Sequence, residues 1–239
     1  MSCGLISGET TPEITVPTEV EYEPIPQQTL QDTFADESTG KSIDYFLYVP
    51  EGATEHMPLV VYLHGIGVVG SLKYIETNPL HTRALEIYGE SFPFIILTPS
   101  SMYNSTWTSK QMPERVKALV DYIVQAYGID QDKIIITGHS MGASGVFRQV
   151  ELYGDYYSAA IPISLPDTQI ITKEKCIGIP IWGFAGSKES PFNHEMRKLF
   201  ESLREMDSYV IYTELDEIEH GKTPYHAYTR TLLDWAISQ

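Results

Sequence analysis

Cysteine is almost missing from this chain of 239 residues: there are two, Cys3 and Cys176. That excludes a disulfide framework, and it leaves too few thiolates for a cysteine-built metal site. Basic residues are scarce as well. Lys and Arg number 16 against 32 Asp and Glu, for a formal charge of −16. A surface of that sign excludes nucleic acid as a partner, because phosphates demand a basic face, and it excludes electrostatic docking on anionic lipid. No apolar run approaches the ~20 residues of a membrane-spanning helix, and no internal repeat is visible. What is present is a globular composition. Hydrophobic residues make up 42%, enough for a full core, and the length suits one large α/β domain.

Residues 1 to about 28 have the composition of a flexible tether: Gly8-Glu9-Thr10-Thr11-Pro12, then Glu21 through Pro26, with no period. The start, Met1-Ser2-Cys3-Gly4, resembles that of a mature bacterial lipoprotein. A lipid on Cys3 would then be the chain's one route to a membrane, and the location secreted or cell-surface. A stray cysteine near a chain start is the alternative.

The domain proper is expected to run from Thr29 to Gln239. Thr29 to Ala35 and Ser42 to Val49 read as a hairpin with Gly40 near its tip, and Ile43, Tyr45, Leu47 and Val49 give the second strand one apolar face. Further strands are expected at Leu59–Leu63, Phe94–Thr98, Ile134–Thr137, Tyr157–Leu165, Ile179–Phe184 and Tyr209–Thr213. Helices are expected at Leu72 to about Gly89, from Pro113 to near Gly128, after Ser140, after Pro191, and from Tyr225 to Ile237. Strands and helices alternating in this way predict an α/β fold, a mostly parallel sheet covered on both faces. The connection after Leu165 is too short to hold a large cap domain, so the site is expected to be open.

One stretch carries chemistry. Ile134 to Thr137 are all β-branched and uncharged, as a strand buried on both faces requires. Gly138-His139-Ser140-Met141-Gly142 then fits G-x-S-x-G, in which a strand turns sharply into a helix with the serine at the apex. Ala143, Val146, Phe147 and Val150 follow at helical spacing. A serine hydroxyl is a poor nucleophile near neutral pH. It needs a histidine to take its proton and a carboxylate to hold that histidine. In this order of elements the acid comes next and the histidine last.

Three histidines follow Ser140. His194 opens a helix, His220 lies in the loop after the last strand, and His226 lies on the last helix. His220 is the best placed to swing over the serine, with His226 in reserve. Glu189, on the loop beyond Phe184, is the favoured acid and Asp167 the alternative. Asp216 and Glu217 read as solvated loop charges. The backbone amides of Met141 and Ile66 are the expected oxyanion donors. His64 reads as a structural hydrogen-bonder. Tyr103 and Trp107 could present a platform for a sugar or phenolic ring, or could be rim packing.

Leu63-His64-Gly65-Ile66-Gly67, Tyr127-Gly128-Ile129-Asp130, Gly138-His139-Ser140-Met141-Gly142 and Ala159-Ala160-Ile161-Pro162-Ile163-Ser164 resemble the α/β-hydrolase superfamily. Within it they are similar to the esterase branch of polyhydroxybutyrate-depolymerase-like, feruloyl-esterase-like and "predicted peptidase" proteins, from about Phe34 to Trp235. In that branch a tryptophan follows the last histidine by 15 positions, and 235 − 220 = 15 here, which favours His220. The branch's usual His-Gly-x-x-Asp is Ala185-Gly186-Ser187-Lys188-Glu189 in this chain, so both end residues depart from it. The resemblance implies hydrolysis of carboxylic esters through an acyl-enzyme, with neither metal nor organic cofactor. Acyl or feruloyl esters of plant polysaccharides and simple esters are the substrates it implies. A lactone hydrolase or peptidase of the same fold, or a tethered binding module without turnover, are the competing readings.

Overall fold

The computed structural model describes residues 24–36, 40–66, 78–101 and 105–239. Alternation along the strands decides its architecture. In β3 (Leu59–Leu63) every residue is buried: Leu59, Val61 and Leu63 enter one core, Val60 and Tyr62 the other. β4 (Ile95–Pro99), β5 (Ile134–His139) and β6 (Ala159–Ile163) divide their side chains in the same way. Period-2 strands buried on both faces need helices on both faces.

Together with β1 (Gln28–Asp36), β2 (Lys41–Val49), β7 (Ile181–Gly186) and β8 (Val210–Leu215), these form one sheet among the described residues, in the order β1-β2-β4-β3-β5-β6-β7-β8. The β1–β2 hairpin and the β2–β4 pair are antiparallel, and every other pair is parallel. On one face α2 (Met112–Tyr127), α3 (Met141–Tyr153) and α4 (Phe192–Arg204) bury Leu119, Ile123, Val146, Leu199 and Phe200. On the other, α1 (Pro79–Tyr88), α5 (Thr223–Ala227) and α6 (Arg230–Ile237) bury Leu80, Ala84, Leu232 and Leu233. Each of the leucine, isoleucine, valine and phenylalanine side chains contributes about 1.5–3 kcal/mol by leaving water. From β3 the chain order runs both ways, to β4 on one side and β5 on the other. That is the switch point at which open α/β sheets hold their sites, beyond the carboxyl ends of the strands.

Three details differ from expectation. Phe46 and Tyr48 of β2 are buried in the second core, because helix α1 covers the face that the alternation leaves open; β2 is therefore apolar on both sides beyond Tyr45. The last helix is two helices. Tyr228, fully buried, turns into the protein with its hydroxyl 2.8 Å from Thr137 Oγ1, and the Thr229 side chain then caps α6 by accepting from Leu232 N–H. Packing also begins ahead of Thr29. Pro24 bridges Thr54, the Ile25 amide donates to Ala53 O at 2.7 Å, and Ile25 packs on the core. Cys3, Gly67, residues 72–77 of the helix expected from Leu72 and Tyr103 lie outside the described residues. Among the described residues no helix is long and apolar enough to cross a membrane.

Candidate active site

Strand β5 ends at His139 and helix α3 begins at Met141, so Ser140 must reverse the chain in one residue. It does so at φ 55°, ψ −118°, a region L-residues avoid and which marks a position fixed by its surroundings. Its amide donates to Ile163 O at 2.9 Å and its carbonyl accepts from Ala143 N–H at 2.8 Å. The flanking glycines follow from crowding. A Cβ at Gly138 would lie 2.6 Å from the Gly142 backbone, and one at Gly142 would lie 1.9 Å from Leu63 O. The elbow is wedged against the end of β3, and only bare backbone fits.

The loop after β8 brings His220 over the elbow. Its Nε2 lies 3.0 Å from Ser140 Oγ and its Nδ1 lies 2.7 Å from Glu189 Oε2. A carboxylate only accepts, so Nδ1 carries the proton toward Glu189 and Nε2 is left to accept from the serine. Glu189 is buried. Burial alone raises a carboxyl pKa. Here it is outweighed by hydrogen bonds from His220, Thr223, the Gly186 amide and Ser164, which hold the carboxyl below its ordinary range. Glu189 is an anion with its charge pointed at an imidazole.

The loop carrying His220 is held from two sides. The ring of Phe192 lies 5.3 Å from the imidazole of His220, centre to centre, and that of His139 lies 4.6 Å away. His139 Nε2 donates to the His220 carbonyl at 2.9 Å. Burial, with the nearby His220 next, pushes the His139 pKa down to about 4 against the opposing pull of Glu189. His139 is therefore a neutral strut.

The expected members fall as follows. Asp167 is exposed, with Oδ1 accepting from Gln169 N–H at 2.9 Å in its own loop; His194 and His226 are exposed on their helices. Glu217 pairs with Lys188 at 2.6 Å. Met141 opens α3, and Ile66 puts its side chain into solvent at 71% exposure. A Cβ on the neighbouring Gly65 would come within 3.6 Å of Ser140 Cβ, so that loop's backbone flanks the serine. His64 is buried, accepts at Nε2 from Ser101 N–H (3.0 Å) and donates from Nδ1 to Gly65 O (2.8 Å); burial pushes its pKa down to about 4. Trp107 is not on the rim. It is 1% exposed, and its indole N–H donates to His64 O at 2.8 Å, so it packs beneath the loop and cannot offer a face to a substrate ring. A cleft of about 240 Å³, lined among others by Thr108, Ser144, Phe147, Ile170 and Ile171, begins one helical turn along α3 from Ser140.

Two residues that sequence reasoning missed stand behind Glu189. Ser164 Oγ donates to Glu189 Oε1 at 2.9 Å, and Thr223 Oγ1 donates to the same oxygen. Ser164 closes the Ala159–Ser164 motif, which is the local signal for it. Nothing local marks Thr223.

No protein-family model matches the chain. Among curated proteins it is similar to acetylxylan esterase A of Emericella nidulans, 25% identical over 151 residues, which is 58% of this chain and 47% of that protein. It is also similar to a bifunctional acetylxylan esterase/xylanase of Neocallimastix patriciarum, 22% identical over 171 residues, 70% of this chain and 24% of that one. The chain thus spans less than half the length of these relatives. Among solved structures, a thermostable esterase superposes with a TM-score of 0.77 at 26% identity, over 88% of this chain and 63% of the other. A feruloyl esterase module of Clostridium thermocellum superposes with a TM-score of 0.68 at 14% identity, over 87% and 92%; at that identity the likeness concerns the fold alone.

Proposed function

We propose, from the premise that this chain is an α/β-hydrolase of the esterase kind, that it hydrolyses carboxylic esters, with acyl groups on plant polysaccharides as the substrate class. The observation that carries this is the unbroken hydrogen-bond line Ser140 Oγ, His220 Nε2, His220 Nδ1, Glu189 Oε2, at 3.0 and 2.7 Å. In this reading Ser140 Oγ attacks the ester carbonyl while His220 Nε2 takes its proton. Glu189 stabilises the imidazolium that forms. The amides of Met141 and Ile66 receive the negative charge that develops on the substrate oxygen. His220 then returns the proton to the leaving alcohol, an acyl group remains on Ser140, and water activated by the same histidine releases it.

The substrate class is supported by the acetylxylan esterases to which the chain is similar. The test is turnover of acetylated and feruloylated xylo-oligosaccharides beside p-nitrophenyl acetate, with Ser140→Ala as control. Activity on the p-nitrophenyl ester alone would keep the esterase and remove the polysaccharide. The same proposal has the residues ahead of Pro24 as a tether, residues 24–239 as the catalytic domain and Cys3 as a lipid attachment point, supported by the composition of residues 1–23 and by the small neighbours of Cys3. Incorporation of a labelled fatty acid in the producing cell, lost in Cys3→Ser, checks it.

A further inference from the structure

We infer that Ser164 and Thr223 are positioning residues for the triad acid: their hydroxyls clamp Oε1 of Glu189 so that Oε2 is presented to His220. The inference rests on the triad reading above. Glu189 carries one methylene more than the aspartate found at this place in the branch the chain resembles, and so one more torsion to fix, on a loop. Its Oε1 is gripped from three separate elements. The Gly186 amide donates at 2.7 Å from the end of β7, Ser164 Oγ at 2.9 Å from just past β6, and Thr223 Oγ1 from the first residue of α5. Three donors on one carboxylate oxygen leave the other free to meet the imidazole.

Ser164 is the more telling of the two. It is fully buried, and its φ is 55°, where glycine fits without strain and serine does not. Its amide already donates to Phe184 O at 2.7 Å, a bond glycine would make equally well. What serine adds is the hydroxyl, and Glu189 is the partner that hydroxyl meets. Thr223 is also fully buried. Its hydroxyl lies within reach of two acceptors, Glu189 Oε1 and Glu219 O at 3.1 Å. The carboxylate is the stronger acceptor because it is charged. Both side chains act through Glu189 and not on the reacting atoms.

A role in folding alone predicts something different, and the substitutions separate the two. Ser164→Gly removes the hydroxyl while relaxing the backbone, so its melting temperature should hold or rise. Thr223→Val keeps the shape and removes the donor; Thr223→Ser restores the donor. On p-nitrophenyl acetate, Ser164→Gly and Thr223→Val should each lower kcat about tenfold with KM nearly unchanged, because a tilted imidazole slows proton transfer without altering ground-state binding. Thr223→Ser should recover most of the loss. If both folded variants keep kcat within about twofold of the parent, the clamp is structural and the inference is wrong; Ser164→Gly decides the matter alone should Thr223→Val fail to fold. Activity surviving in Ser140→Ala would instead overturn the triad reading and leave these hydroxyls as partners of a buried carboxylate.

Discussion

At the scale of single residues, the acid is where this chain departs from its resemblance, and it is the sharpest place to test the proton path. Glu189→Gln keeps the size of the side chain and removes the charge that, in the proposed mechanism, stabilises the imidazolium. We expect kcat to fall by about 10²–10⁴ with KM little changed. Glu189→Asp shortens a side chain whose Oε1 is anchored by Gly186, Ser164 and Thr223, so partial activity is expected. Asp167→Asn should be silent, since Asp167 only closes its own loop turn; a dead Asp167→Asn beside an active Glu189→Gln would move the acid to the other loop. The places of Ser140 at the elbow and of Glu189 beside His220 were legible in the sequence for different reasons. Ser140 sits in a backbone pattern that only two glycines allow, and Glu189 follows from its place beyond β7. Trp107 was not legible. Whether an aromatic in a loop faces solvent or props up a carbonyl depends on partners distant in the chain, here His64.

At the scale of elements, the central strands β3 to β6 announced themselves because burial on both faces leaves no room for charge, and the helices because their apolar faces recur at 3.6 residues. The break between α5 and α6 did not. It goes with the burial of Tyr228, whose hydroxyl meets Thr137 from a distant strand, and its local sign is Thr229 as the cap of α6. The elbow gives the element-scale prediction. Gly142→Ala places its methyl 1.9 Å from the backbone oxygen of Leu63, which cannot turn aside as a side chain would, so β3 and α3 must part. A loss of about 2–4 kcal/mol is expected, roughly 5–15 °C in melting temperature for a domain of this size. Gly154→Ala is the control: its Cβ would meet nothing closer than Lys175 O at 3.8 Å, and it should melt within a degree or two of the parent, as surface changes do. Equal melting of the two variants would mean that the elbow is not wedged.

At the scale of the whole molecule, three histidines share one property. Burial holds His64, His81 and His139 each down to about 4, from an ordinary value of 6.5. The unfolded chain takes up these protons near 6.5 and the folded one only near 4, so the unfolded state binds more protons throughout that window. Their contribution to stability is therefore complete above 6.5 and is lost as pH falls toward 4. Melting temperature should be level near neutrality and decline across this window. His81, stacked 3.9 Å from Tyr48, can be replaced by Phe to make the decline shallower. A melting temperature unchanged down to pH 4 would contradict the buried neutral imidazoles. Labelling of the intact protein tests the central claim most directly: a fluorophosphonate traps an activated serine irreversibly, and intact mass counts the adducts. The account predicts one adduct on the wild type, located at Ser140, and none on a folded Ser140→Ala variant, together with loss of ester hydrolysis in step with labelling. An unlabelled wild type, or a Ser140→Ala variant that still takes the label and turns over ester, would contradict it.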